Sequence, residues 1–268
     1  MPADTFTSVI DARTLAVTRV LVGVASAIQV VETRGYIAAV LAPDRLTLPY
    51  VPGVGLFDAA YLNHFGLLTA SLALCLTVGL FTRPAALCLS AVEFYVMLAD
   101  QQTYSNHLLL LASLALLLGL ARSGARYSVD ARRGQAADFV PAWPATLIKT
   151  QVTVAYLFGG LAKLNTAYLS GALVYQSLRP GLREAILNTG VPMTVFTLLG
   201  FTSAFFEIWL AYALWQPRRR KLAVILAVPF HALMILTVAP AAMPLVAFAL
   251  AMFSAYPLFF ARYDSETT

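Results

Sequence analysis

Eight apolar runs of near-bilayer length dominate this chain, at roughly residues 14–31, 64–81, 84–100, 106–121, 146–164, 192–215, 221–238 and 241–261. A helix needs about 20 mostly apolar residues to cross the hydrocarbon core, so each run is a candidate span. Charged residues make up only 12% of the chain, against about 25% in ordinary soluble domains. That much charge cannot clothe the surface of a soluble fold of 268 residues with 60% hydrophobic content. The expected fold is therefore an all-α integral membrane protein of about eight transmembrane helices. The segments 35–63 and 165–191, with their prolines and glycines, read as loops that approach the membrane surface. No internal repeat or second domain is visible, so residues 1–268 read as a single transmembrane domain. The net charge of +5 comes from arginine clusters in short loops rather than from a basic face along one helix, which argues against nucleic-acid binding.

Alternation through eight spans assigns each loop to one side. One side collects Arg83, Arg122, Arg126, Arg132, Arg133, the run Arg218-Arg219-Arg220-Lys221, and Arg262. The other side has only Arg34, Arg45, Arg179 and Arg183. The positive-inside rule places the first set, and with it both termini, in the cytoplasm. The first apolar run contains Arg19, ends in Glu32 and lacks a convincing cleavage site, so it reads as a span rather than a cleavable signal. Cys75 and Cys88 flank the turn at residues 81–84 and read as small core residues. Three histidines on three spans, with no paired ligand spacing, give no metal site.

Ionisable groups within a bilayer are expensive, and each is a functional hypothesis. Glu32, Arg34, His64, Asp100, Gln101, Gln102, Asn106, His107, Lys163 and Asn165 all fall at span ends on the non-cytoplasmic side. That distribution predicts a polar cavity open to the outer side. Lys163 shares a helix face with Tyr156 and Gly159. It is either a lysine snorkelling to the interface or a buried amine whose charged form is disfavoured, able to act as a base. Gly159 and Gly160 admit the close approach of another backbone or of a flat ligand. His107 reads either as a structural donor at a helix start or, with Asn106, as a donor to an oxyanion developing on a substrate. His231 lies mid-span, where structural hydrogen bonding competes with a role at a site. Glu93, Asp100 and Glu207 read as paired or protonated groups.

Ordered pieces of the chain resemble the membrane portion of vitamin K-dependent γ-glutamyl carboxylase and its bacterial relatives, the HTTM family. They are Asp11 to Leu15 with Arg19-Val20-Leu21, Glu32 to Gly35, Gly79-Leu80-Phe81-Thr82-Arg83, Asp100, Asn106-His107 and Tyr127-Ser128-Val129-Asp130. Gln151 to Tyr156, Gly160, Lys163-Leu164, Gly171, Phe230-His231 and the 253–259 stretch complete the series. The resemblance implies that Lys163 is the base that deprotonates vitamin K hydroquinone or a menaquinol. It also implies that Asn106 and His107 sit at the active site with His231, and that Tyr156, Gly160 and Tyr104 line the quinone or substrate pocket.

The implied reaction oxidises the quinol with O₂ to its epoxide, by way of an alkoxide basic enough to remove a γ-hydrogen from glutamate. CO₂ then traps the carbanion, a lyase-type carboxylation that requires a dry pocket. The chain departs from the family pattern in three places. A double lysine is Ala162-Lys163, Tyr104 stands for tryptophan, and Ala241-Ala242-Met243-Pro244 replaces a hydroxyl-bearing motif. It resembles a short bacterial-type member without the lumenal region that recognises peptide, which points to a bacterial inner membrane. Three functions stay open at this level: a quinol-dependent epoxidase with or without carboxylation; a maturation or export factor for a secreted peptide or small partner protein, like the relative that serves a sporulation-delaying toxin; and a quinone-binding membrane subunit.

Overall fold

The computed structural model describes residues 8–43, 45–239 and 242–265. Helices make up 74% of the structure. Among the described residues, six helices are long and apolar enough to cross a membrane: Ala12–Val40, Ala59–Val78, Thr82–Ala99, Met193–Ala213, Arg220–Thr237 and Met243–Phe260. The protein is an integral membrane protein. The two remaining runs are helical as well, one only 15 residues long (Asn106–Leu120) and the other 20 (Trp143–Ala162). The chain divides into two units, one formed by the residues up to Gln151 with those from Val246 on, the other by Val152–Leu245.

The first unit is built on α1 (Ala12–Val40), α2 (Leu62–Val78), α3 (Thr82–Ala99) and α4 (Asn106–Leu120). Helix α1 packs on α2 and α4, and α3 on α2 and α4. α1 extends nine residues beyond its expected end at 31. Glu32 and Arg34 continue the helix instead of ending it, because the Glu32 carboxylate accepts from Gln29 one turn back and from Tyr36 one turn on. Apolar residues of four helices, including Ile37, Phe65, Val96 and Leu108, form a cluster near the end of the bundle where α1 stops. The loop that follows α1 is tied down by Asp100, a buried carboxylate that accepts from the backbone of Leu48 and Gln102. A small sheet of three antiparallel strands at Ser8–Asp11, Phe139–Pro141 and Asp264–Ser265 adds a β element that the apolar pattern does not announce. Its strands are too short for a period of two to register. Cys88 is exposed and Cys75 half-buried, both as free thiols, so the expectation of two core residues fails for Cys88. An apolar span exposes one face to lipid, where a small thiol is as much at home as in the core.

At the opposite end of this unit, two buried charges organise the turns. Arg19, 0% exposed, sends its guanidinium to the carbonyls of Tyr127 at 2.6 Å, Ser123 at 3.4 Å and Arg126 at 3.5 Å. Asp130 accepts from the Phe81 and Thr82 amides at 3.0 and 2.7 Å and from the Thr82 hydroxyl at 2.6 Å. Burial opposes ionisation of Asp130, but the Thr82 hydroxyl, the two amides and nearby Arg133 outweigh it and hold the carboxyl below its usual range. Gly79 ends α2 at φ +70°, and a β-carbon there would collide with the Arg19 guanidinium and Ser128. Glycine is required at this turn on both counts.

The second unit holds the rest of α5 (Trp143–Ala162), then three short helices, α6 (Thr166–Leu169), α7 (Ala172–Gln176) and α8 (Pro180–Thr189). Two long helices follow, α9 (Met193–Ala213) and α10 (Arg220–Thr237). The segment expected to be a loop at 165–191 is thus three short helices, broken at Ser170-Gly171 and at Ser177 to Arg179. Asn165 caps α6 by accepting from the Tyr168 amide at 2.9 Å. The turn after α7 pairs with the end of α10 through Leu178 and Val238, and Arg179 reaches the Ile235 carbonyl at 2.7 Å.

Candidate functional site

The second unit brings two polar side-chain pairs together on α5, α9 and α10. Lys163, in the turn that ends α5, donates to Glu207 Oε2 at 2.5 Å and to the Gly159 carbonyl at 3.1 Å. The lysine side chain is 22% exposed and the glutamate 7%. One helical turn of the same face carries Gly159, and a β-carbon there would sit 3.2 Å from Glu207 Oε2. Glycine at 159 therefore leaves the space in which the carboxylate reaches the lysine. Gly160 serves the approach of a backbone. A β-carbon there would lie 2.7 Å from the Ala204 carbonyl and 2.6 Å from Ile208, so α5 and α9 touch at that point.

Two turns before Lys163, the buried Tyr156 hydroxyl is hydrogen-bonded to Nε2 of the buried His231 at 2.9 Å. Phe230 packs against the His231 ring, and Phe206 packs against Phe230. Pro229, two residues before His231, takes one N–H out of the α10 ladder. His231 and Lys163 lie within electrostatic reach of one another. The result is a small polar set of a primary amine, a carboxylate, a phenol and an imidazole in apolar surroundings. Such a set can pass a proton from a bound group to an amine or imidazole and hold the oxygen left behind.

Asn106, His107 and Tyr104 belong to the first unit. Ser105 caps α4 by accepting from the amides of His107 and Leu108, which sets both Asn106 and His107 in the first turn. The Tyr104 hydroxyl donates to Asn106 Oδ1 at 2.9 Å, and both side chains are exposed. The half-buried His107 ring stands 4.8 Å from the Phe248 ring, and its buried Nδ1 has no hydrogen-bond partner among the described residues. Glu32 lies within electrostatic reach of it. Of the other polar residues expected near these ends, Arg34 donates to Asn63 at 2.5 Å, and the exposed His64 ring leans on Tyr61.

A family model described as the HTTM domain matches residues 8–262. The chain belongs to the HTTM family. The HTTM match runs through both units and includes Asn106, His107, Tyr156, Lys163 and His231. It makes the protein a membrane protein related to the vitamin K-dependent carboxylases. No curated relative and no solved structure matches the chain. Of the departures from the HTTM pattern, Ala162 is the last residue of α5 and is exposed, so no second lysine stands beside Lys163. Of the stretch Ala241-Ala242-Met243-Pro244, Ala241 and the Ala242 side chain lie outside the described residues.

Sequence reasoning placed Glu207 among groups that would be paired or protonated without naming its partner, and the partner is Lys163. Forty-four residues separate the two, with no periodicity to connect them. The available signal was one cation and one carboxylate on apolar runs of the same chain, neither of which is tolerable alone.

Proposed function

We propose that this HTTM protein is a membrane-embedded, quinol-dependent enzyme of the carboxylase type. In this reading, vitamin K hydroquinone or a menaquinol is oxidised by O₂ to the epoxide, and that oxidation drives proton removal from, and carboxylation by CO₂ of, a glutamate in a secreted peptide. The observation that carries the reading is the Lys163–Glu207 pair beside Tyr156 and His231. A hydroquinone asks a site for a base at one hydroxyl and a hydrogen-bonding group for a ring oxygen, and this set contains both. The quinol, when bound, supplies the redox chemistry. An ion pair in apolar surroundings carries a desolvation cost that its neutral form avoids. The Lys163 amine is the base of this reading, and Glu207 and the Gly159 carbonyl hold it in place. Tyr156 and His231 orient the ring oxygen. Eight spans, a cytoplasmic arginine-rich end, a site open to the outer side and residence in a bacterial inner membrane complete the proposal. Asn106 and His107 belong to the first unit, and their part in this reading rests on the family resemblance alone.

The test is epoxide formation by the purified protein in nanodiscs, supplied with vitamin K hydroquinone or a menaquinol, O₂ and bicarbonate. Lys163→Ala should lower the epoxide rate by at least about 100-fold, the lower range for loss of a positioned acid–base group, while the fold is retained. Absence of lysine-dependent epoxide across these quinols, with folded protein, overturns the enzyme reading. The Lys163–Glu207 pair would then be a clamp between α5 and α9, as its complete set of bonds allows, and the protein a maturation or export factor for a secreted peptide.

A further inference from the structure

The motifs Gly79–Arg83 and Tyr127–Asp130 take no part in the chemistry above, yet the first unit devotes its two most elaborate buried charge networks to them. Among the described residues, Phe81 at φ 47° and Tyr127 at φ 49° are the only non-glycine residues with a left-handed backbone. An aromatic residue in that conformation costs on the order of 1 kcal/mol or more, and glycine or asparagine would serve a purely structural turn better. Both rings are nevertheless 63% exposed. Asp130 holds the amide of Phe81, and Arg19 holds the carbonyl of Tyr127. Two buried charges therefore maintain two strained turns whose visible product is an outward aromatic ring.

Each ring borders a cavity lined by arginine. Phe81 borders one of about 520 Å³ with Arg83, Arg122, Gly134 and Gln135. Tyr127 borders one of about 590 Å³ with Arg13, Arg126, Arg132 and Ser128. Arg126 is paired with Asp138, whereas Arg13, Arg83, Arg122 and Arg132 make no ion pair among the described residues. The carboxylate of Asp130, at the wall of the first cavity, has both oxygens engaged by Phe81 and Thr82. Arg133 sits over the Phe81 ring at 5.6 Å. All of these groups gather where α1 and α3 begin and where α2 and α4 end, the level of lipid headgroups for helices that cross the bilayer. At that depth aromatic rings prefer the interface and guanidinium groups favour phosphate.

We propose that the two arginine-lined cavities bind the phosphodiester headgroups of anionic phospholipids, with Phe81 and Tyr127 seated at the boundary between headgroup and acyl chain. The headgroup phosphate accepts from Arg83 and Arg122 in one cavity and from Arg13 and Arg132 in the other. This assignment is independent of any chemistry at Lys163.

The test is lipid retention by the full-length protein in detergent, read by native mass spectrometry after incubation with equal phosphatidylglycerol and phosphatidylcholine of the same acyl chains. The protein should retain phosphatidylglycerol preferentially, and Arg83→Gln with Arg122→Gln, or Arg13→Gln with Arg132→Gln, should lower that preference about fivefold per arginine removed. Phe81→Gly relieves the strained turn, so it should keep or raise the melting temperature while weakening retention. Equal retention of the two lipids, or a preference unchanged in folded arginine variants, overturns the proposal. Displacement of phosphatidylglycerol by equimolar inorganic phosphate would make these cavities free-anion sites and overturn the lipid assignment. Retention unchanged in Phe81→Gly would remove the ring from it.

Discussion

The two units treat buried charge in opposite ways. In the first, Arg19 and Asp130 direct their bonds almost wholly to backbone groups, the carbonyls of 123, 126 and 127 and the amides of 81 and 82. In the second, Lys163 meets Glu207 and Tyr156 meets His231, side chain to side chain. A charge bonded to backbone fixes the path of the chain, and its loss leaves polar groups orphaned in place. A charge bonded to another titratable side chain has a second protonation state available and can exchange a proton with a guest. The first arrangement builds architecture, and the second is the one to which the proposed chemistry is assigned.

The contrast can be broken by substitution, and the largest effect is expected in the second unit. Lys163→Ala should remove at least about 100-fold of quinol turnover, and it should also lower the unfolding temperature because the nearly buried Glu207 loses its partner. Comparable turnover in that variant would reduce the pair to a clamp. Next, Arg19→Leu should behave as a stability mutation. It leaves three carbonyls, that of Ser123 buried, without their donor and is expected to cost on the order of 3 kcal/mol, read as earlier thermal unfolding in detergent. A stable Arg19→Leu protein would mean that the turns at 81 and 127 do not depend on it.

A third test sharpens the packing half of the comparison. Gly160→Val places side-chain carbon against the Ala204 carbonyl and Ile208, an overpacking worth about 1–3 kcal/mol. Unfolding should reveal it whatever the assay of turnover shows. Unchanged stability would mean that α5 and α9 separate easily at this point.

The smallest effect concerns Asp130. Its folded carboxyl titrates below its unfolded value, so the folded state releases the proton more readily and is favoured wherever the group is ionised in the fold. That contribution is complete above about pH 3.9, the usual carboxylate value, and is lost as pH falls through the lower folded value. Asp130→Asn should therefore flatten the acid side of the melting-temperature profile relative to the parent protein and lower stability at neutral pH. Parallel acid limbs in the two proteins would contradict the role assigned to the carboxylate.

Much of the architecture was legible because membrane insertion writes itself into composition. A run of apolar residues long enough to span cannot hide, and the helices found at 62–78, 82–99, 106–120, 193–213 and 220–237 lie close to the expected runs. Helix ends were less legible, as α1 shows by carrying Glu32 and Arg34 past the expected boundary on local side-chain bonds. The short strands were invisible because three or four residues carry no usable periodicity. At the site, Lys163 and the glycines before it stood out as a cation and small residues on one helix face. In the first unit, the arginines that follow α2 and α4 marked one end.

The sequence by itself thus determined that the chain lives in a membrane, that it is helical, which family it belongs to, and which few polar residues have to be explained. These follow from solvent exclusion and from spacing along one helix, and both are local properties. Only the tertiary structure decided that Lys163 meets Glu207, that Tyr156 meets His231, that Gly160 admits α9 rather than a ligand, and that Arg19 and Asp130 hold two strained aromatic turns. The physical reason is that a buried polar group must find a partner, but which partner it finds is set by helix packing across tens of residues of chain.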